Sequence, residues 1–504
     1  MINYLSGYLS SFFLKKRIKE INLFMRYPVD IQYKLMYQLV LSAKNTEFGK
    51  KYGFNDIKKY KLFSERIPIS NYNDLKKNID RIRKGEKNIL WPGRVKWFAR
   101  SSGTTGEKSK YIPITSSSMY DCHYKAGKDM LSVYIHNNPN TKIFFGKAVR
   151  LGGSYSIYKE YKTFYGDLSS ILIKNLPLWI EYICIPGKKI TLINSWEKKI
   201  YKIIQETVFK DVRIILGVCS WLLFFLNKLL SKFNKKNIYE IWPNMEVIFH
   251  GGVSLKPYLI QYNKLFNNSV NYCEVYSASE GFFAIQDQKN SKDLLLLLNH
   301  GIFYEFIAIE DINKSNPKII PISDVKLNKN YAIVISTNSG LWRYIVGDTI
   351  KFTNLCPYRI LISGRTQHYI NSFGEELIID NTEEAIKIAC KKTNSIVYEY
   401  TVAPIYMDNG KSGSHEWIIE FQKRPNDIQE FRYILDHELK KLNSDYETKR
   451  YKNMILQPPI INVARKGLFY DWLKKYNKLG GQNKIPRLSN NRKYINSILE
   501  LINN

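Results

Sequence analysis

The residues best suited to chemistry lie between Ser101 and Pro113. Ser101, Ser102, Gly103, Thr104, Thr105, Gly106, Glu107, Lys108, Ser109 and Lys110 follow one another between two β-type runs. Glycines let a backbone turn and approach a ligand, hydroxyls donate to phosphate oxygens, and Lys108 and Lys110 offset negative charge. That combination predicts a phosphate-binding loop. It is not of the Walker type, which needs four residues between its glycines and a lysine directly after the second; two separate Gly103 from Gly106. Ser/Gly/Thr clusters also make plain surface turns, so the loop gains its weight from what lies downstream.

Two later segments supply that weight. Tyr276-Ser277-Ala278-Ser279-Glu280-Gly281 follows the β-type run VNYCEVY and offers an aromatic face with a carboxylate beside a glycine. Trp342 through Asp348 ends in a Gly-Asp step, where a carboxylate can accept both hydroxyls of a ribose. Gly364-Arg365 comes after them. Each segment alone is weak, and their order along the chain is what makes the set specific.

These residues need elements to hold them. The first hundred residues read as a helical scaffold, with Ile31, Leu35, Met36, Leu39, Val40 and Ala43 on one helical face, Asp30 placed to cap and Gly49 after the run. From Lys96 onward, short β-type runs (VKWFA, KYIPI, KIFFG, RIILGV, MEVIFHG, VNYCEVY, YAIVIST) alternate with helical stretches, which predicts an α/β layered domain. Beyond Arg365 comes a helix opened by Asn381, with Glu384 three residues on. The runs VYEYTVAPIYM and HEWIIEF flank a polar DNGKSG turn, and a helix with Asp427 and Glu430 as a capping box succeeds them. That is the inventory of a small α+β domain. The expected division is 1–363 and 364–504.

A chain of 504 residues exceeds one ordinary domain, and 44% apolar with 14% aromatic residues is the composition of a folded protein. The net charge of +31 would suit a polyanionic partner, but it comes mostly from Lys in a chain also rich in Asn, Ile and Tyr, residues of A- and T-rich codons. The basic residues are scattered, so no nucleic-acid partner is expected. The chain is too long for a small disulfide scaffold, and its six cysteines form no CxxC pair and no framework, which fits a reducing cytoplasm. Ile214–Leu226 is shorter than the roughly 20 residues a spanning helix needs, so no membrane insertion is expected. The start of the chain reads as a mature N-terminal helix and not as a signal peptide.

The series of motifs resembles the adenylate-forming superfamily, and more closely its auxin-responsive Gretchen Hagen family of acyl-acid amido synthetases, in particular the bacterial members. SSGTTGEKSKYIPIT, EVYSASEGFF, GLWRYIVGD, ISGRTQHYINSFGEELI, GSHEWIIEF, NSDYETKR and GGQNKIPRLSNNR carry the resemblance over nearly the whole chain. It implies a firefly luciferase-like architecture, a large N-terminal α/β domain with a small mobile α+β C-terminal domain hinged near Ile362–Arg365. It also implies an ATP- and magnesium-dependent ligase that adenylates a small carboxylic acid and passes the acyl group to an amine or amino acid, with no obligate protein partner. An acid-thiol ligase making a coenzyme A thioester shares the first half-reaction and is the rival enzyme; a non-catalytic basic surface-binding protein is the rival from another class.

Carried over residue by residue, the resemblance makes Ser101, Ser102, Gly103, Thr104 and Thr105 with Lys108 the phosphate loop. His250-Gly251-Gly252-Val253-Ser254 becomes the segment passing along adenine, and Tyr276, Ala278 and Ser279 the adenine-side turn. Glu280 becomes the magnesium ligand and Asp348 the ribose acceptor. Arg365 matches an arginine near the domain junction, and Lys484 the lysine that reaches the α-phosphate. The superfamily usually places Arg and Thr where this chain has Ile345 and Val346, so their role is expected to be absent or supplied by Arg343. Gly217 through Phe224 is expected to wall the acyl pocket or to be a plain core helix. His123, His136 and His415 read as structural.

Overall fold

Parallel strands cannot be joined by a tight turn, and the alternation of apolar runs with helix-forming stretches meets that constraint. The computed structural model describes residues 16–101, 110–152, 157–193, 195–252, 255, 259–289, 291–312, 314, 316–365, 370, 375, 377, 379–405, 413–443, 446–447, 450, 453, 456–476, 478, 485–489 and 492–503. Its largest sheet has twelve strands in the order Ile319–Pro321, Ile302–Ala308, Asn330–Thr337, Tyr344–Leu355, Tyr358–Arg365, Leu294–Leu296, Gly281–Ile285, Asn271–Ala278, Val247–Gly251, Val212–Gly217, Lys147–Arg150 and Cys184–Ile185. From Asn271–Ala278 to Cys184–Ile185 neighbours run parallel, and from Asn271–Ala278 the other way they run antiparallel. Helices Trp196–Thr207, Cys219–Phe233 and Leu259–Leu265 make the crossovers between the parallel strands.

A four-stranded sheet, ordered Lys110–Ile114, Trp97–Ser101, Thr163–Gly166 and Tyr158–Glu160, stands beside the large one. A three-stranded sheet of Ile396–Ile405, Ser414–Lys423 and Ile460–Ala464 carries helices Ile379–Lys392 and Ile428–Leu442 over a core that includes Trp417, Ile419, Phe431 and Leu435. The expected large α/β part and smaller α+β part are both present. Leu222, Phe225 and Trp242 share one continuous buried apolar cluster with Leu468, Trp472 and Ile495 of the C-terminal part. No helix among the described residues is long and apolar enough to cross a membrane.

Local expectations fared unevenly. The boundary expected between 363 and 364 falls inside the strand Tyr358–Arg365, where Ile362, Gly364 and Arg365 ladder with Ile350, Thr349 and Asp348. KIFFG is a tight helical turn, Ile143–Phe145, and the strand begins after it at Lys147. Helix Pro28–Ala43 opens on Pro28, whose missing N–H costs nothing at a first helical position, so Asp30 lies in the first turn and is not the cap. Helix Ile379–Lys392 starts two residues before Asn381, whose side chain donates to the Leu442 carbonyl at 3.2 Å. Asp427 does cap its helix, accepting from the Gln429 N–H at 2.7 Å, with Glu430 in the first turn.

Arg343 fastens the helical scaffold to the sheet. Its guanidinium pairs with Glu305 at 2.9 and 2.8 Å and donates to the carbonyls of Ser64 and Ile67 at 2.8 and 2.7 Å. Tyr60 donates to the same carboxylate at 2.9 Å, and the backbone of Arg343 takes a left-handed φ of 43°. The expectation that Arg343 could stand in for the missing superfamily side chains is therefore corrected: four of its five N–H donors are engaged with the scaffold. Removing one partner of a buried pair leaves an uncompensated charge, so Arg343→Met should cost about 3–5 kcal/mol in denaturant unfolding at pH 7, and Glu305→Met/Arg343→Met distinctly less. An unchanged midpoint for the single variant would show that the pair does not hold the scaffold.

Candidate functional site

Ligands of open α/β sheets sit beyond the carboxyl ends of parallel strands. Here Val212–Gly217, Val247–Gly251 and Asn271–Ala278 are adjacent and end on the same side. Gly251 pairs with Val275, and a Cβ on it would lie 2.4 Å from the Val275 carbonyl oxygen, so only glycine allows that approach. Gly252 comes next at φ 83°, a conformation side chains rarely adopt. The two glycines leave bare backbone at the strand end. Val253 and Ser254 lie outside the described residues.

One strand over, Ala278 pairs with Gly281, so Ser279 and Glu280 form the two-residue tip of a hairpin. The tip is half-buried. Glu280 stands near Tyr344, whose hydroxyl is pushed well up by burial, with the Glu280 charge adding to the shift. Tyr276 turns its aromatic face to the core. Side chains alternate along a strand, and with Ser277 turned outward the Tyr276 ring turns inward, packed against Phe283 at 4.8 Å between centroids. Its hydroxyl donates to Asp348 Oδ2 at 2.6 Å. Asp348, 5% exposed, comes after Gly347 at φ 92° and lies opposite Arg365 in the ladder. The structure thus brings Gly251, Gly252, Tyr276, Ala278, Ser279, Glu280 and Asp348 to one region of the large sheet.

Of the phosphate loop, residues 102–109 and the Ser101 side chain lie outside the described residues, which takes in Ser102, Gly103, Thr104, Thr105 and Lys108. Its two ends are held, because Ser101 pairs with Lys110 and the Tyr111 N–H donates to Tyr72 Oη at 2.9 Å. The Arg365 side chain and Lys484 also lie outside the described residues. The segment immediately after Lys484 is firmly built. Val402 donates to the Arg487 carbonyl at 2.9 Å, Ser489 to the Val402 carbonyl at 3.0 Å, and Thr401 Oγ1 to the Pro486 carbonyl at 2.6 Å. Arg487 pairs with Glu399 and lies 4.4 Å from the centre of the Tyr400 ring, while Arg492 reaches the Pro404 carbonyl at 3.0 Å and Glu416. The motif GGQNKIPRLSNNR contains Arg487 and Arg492 as well as Lys484, but a role is expected from it for Lys484 alone.

Three family models match in order along the chain: the GH3 family N-terminal domain over residues 17–271, the central domain over 295–365 and the C-terminal domain over 380–493. The chain belongs to the GH3 family. Curated relatives include the indole-3-acetic acid-amido synthetase GH3.3 of Arabidopsis thaliana, 22% identical with 91% of this chain and 89% of that protein covered. The 4-substituted benzoates-glutamate ligase GH3.12 of the same plant is 22% identical over 91% of this chain and 92% of its own. Among solved structures, a GH3.15 acyl acid amido synthetase superposes with a TM-score of 0.80 at 16% identity, covering 96% of each chain. A 2-hydroxyisobutyryl-CoA ligase in its postadenylation state gives 0.61 at 11% identity, covering 94% of this chain and 91% of that one. At such identities the likeness to both structures is one of fold.

In this GH3 family chain the segment after Gly217 is a core helix as far as it is described: Cys219, Leu222, Leu223 and Phe225 are fully buried. His250, just before Gly251, and His123 are buried too. Burial pushes the imidazoles of His250 and His123 down to about 4, whereas unfolded histidine titrates near 6.5. Below pH 6.5 the unfolded chain therefore binds protons that the folded chain refuses, and stability falls with pH from about 6.5 towards 4. Each histidine should account for roughly 2 kcal/mol lost by pH 5. Urea unfolding of His123→Gln/His250→Gln should show a flatter slope between pH 7 and 5 than the native chain; an equal slope would mean that these imidazoles titrate normally.

Proposed function

We propose that this chain is an ATP-dependent acyl-acid amido synthetase, which adenylates a small carboxylic acid and then transfers the acyl group to an amine, with an amino acid as the favoured acceptor. The observation that carries the reading is the convergence of bare glycine backbone, a hairpin-tip carboxylate and an oriented, buried aspartate at one end of the parallel strands, in a GH3 family chain whose curated relatives are amido synthetases.

A carboxylate is a poor electrophile because attack on it would expel oxide. Its oxygen instead attacks the α-phosphorus of ATP, pyrophosphate leaves, and the acid becomes an acyl-phosphate anhydride with a good leaving group. The amine then adds to the acyl carbon and AMP departs. In this reading Asp348 accepts the ribose hydroxyls, Gly251–Val253 lie along adenine with the turn of Ala278 and Ser279, Tyr276 leads into that turn with its ring on the core, and Ser101–Thr105 with Lys108 take the phosphates. Lys484 places positive charge where negative charge develops at the α-phosphate, and Arg365 lies near the junction of the parts 1–363 and 364–504. Glu280 fits a magnesium ion, which is ordinarily held by one or two carboxylates with substrate phosphates; bound there, it would offset phosphate charge. Because Ile362–Arg365 are laddered, a hinge serving both half-reactions would begin after Arg365. The six cysteines form no CxxC pair, which fits a reducing cytoplasm.

Purified protein supplied with ATP, magnesium and a panel of carboxylic acids should release pyrophosphate, and should form AMP and amide together when amino acids are added. Thioester formation with coenzyme A in place of amide would favour the ligase whose fold is shared at a TM-score of 0.61. Lys484→Ala should lower the ATP-dependent step by about 10²–10³ while leaving amide formation from preformed acyl-AMP near the native rate. Single-turnover rates of each half-reaction check this, and an unimpaired ATP-dependent step would remove Lys484 from the mechanism.

A further inference from the structure

The geometry points to Tyr276 as the positioning residue for the ribose-binding carboxylate: its hydroxyl orients Asp348, and through Asp348 it sets the preference for a nucleotide carrying both ribose hydroxyls. The inference rests on the adenylating reading above, which makes Asp348 the ribose acceptor.

An aspartate carboxylate turns easily about its last torsion, because sp³–sp² wells are broad. A ribose diol is gripped well only when both carboxylate oxygens are presented in one plane, so something must fix that torsion before the nucleotide arrives. Tyr276 has the means. Its ring is 6% exposed and packed against Phe283, which holds the hydroxyl in place. The 2.6 Å bond to Oδ2 falls in the short range of charge-assisted O–H···O⁻ bonds. A carboxylate offers about four lone-pair sites, and the Tyr276 hydroxyl takes up one of them. Since the ring is enclosed by core side chains, Tyr276 acts on the nucleotide through Asp348 and not by stacking on the base.

Substitution separates the two modes. Tyr276→Phe keeps the ring and removes only the hydroxyl, so stacking would survive it and orientation of Asp348 would not. Calorimetric titration of the full chain with ATP, 2′-deoxy-ATP and 3′-deoxy-ATP, in magnesium, reads the outcome for the native protein, Tyr276→Phe, Asp348→Asn and the double variant. Tyr276→Phe should weaken ATP about tenfold, the scale of one hydrogen bond to a charged group, and the deoxy nucleotides much less. The ATP-to-deoxy ratio should thus fall towards that of Asp348→Asn, with no further fall in the double variant. An unchanged ratio in Tyr276→Phe, or an equal loss for all three nucleotides, would overturn the positioning role while leaving the ribose role of Asp348 intact. An unchanged ratio in Asp348→Asn would overturn the ribose role itself, and this inference with it. Should Tyr276→Phe fail to fold, Asp348→Glu, which keeps the charge but displaces the carboxylate from the hydroxyl, reads the same ratio: a fall supports the inference and full discrimination contradicts it.

Discussion

Tyr276 and Asp348 belong to strands with three others between them in the large sheet, yet their side chains meet at 2.6 Å. Adjacent strands are spaced about 4.8 Å apart, so a flat sheet would separate these two by about 19 Å. The antiparallel half must therefore roll until its Gly-Asp strand faces the last of the parallel strands. That closure brings Asp348, which arrives late in the chain, to the glycine backbone at Gly251 and the carboxylate at Glu280.

Two further anchors keep that arrangement in place. Arg343, five residues before Asp348, ties the same strand region to the N-terminal helices through Glu305 and two carbonyls, and Ser70 pairs with Tyr344 beside it. The Asp348 strand is thus held at its start by scaffold and at Asp348 by Tyr276. In the C-terminal part, Arg487 and Arg492 bind the segment behind Lys484 to the three-stranded sheet through Glu399, Glu416 and backbone pairing. These are long-range contacts whose role is placement. Transfer chemistry needs groups from distant stretches of sequence to be placed to within about an ångström, and contacts of this range are what can place them.

The range of each force decides how far it is legible in the chain. Strand runs such as KYIPI and YAIVIST were legible because burial on a sheet leaves a local apolar pattern, and the hairpin tip at Glu280 because turn residues mark themselves. KIFFG misled, since its apolar residues fill a tight turn against the core and not a ladder. The motifs singled out Asp348 and Tyr276 but not their partnership, because no local pattern records a bond between residues 72 apart in sequence. For the same reason Arg343 read as a candidate for the site, although Glu305 and the scaffold carbonyls claim it. The glycines at 251 and 252 were read as ligand-facing; the approach of the Val275 carbonyl, which forbids any Cβ at Gly251, becomes visible only with the neighbouring strand in place.

Carboxylate attack at the α-phosphorus is the central step, and the fate of an oxygen atom tests it most directly. With an acid substrate labelled by ¹⁸O in both carboxylate positions, ATP and an amino acid, attack at the α-phosphorus followed by acyl transfer moves one acid oxygen into AMP, because the bond broken in the second step is that between the acyl carbon and the bridging oxygen. Mass spectrometry of the nucleotide product should show AMP carrying a single ¹⁸O and unlabelled pyrophosphate. ADP together with ¹⁸O in inorganic phosphate would place the attack at the γ-phosphorus and contradict the adenylating mechanism.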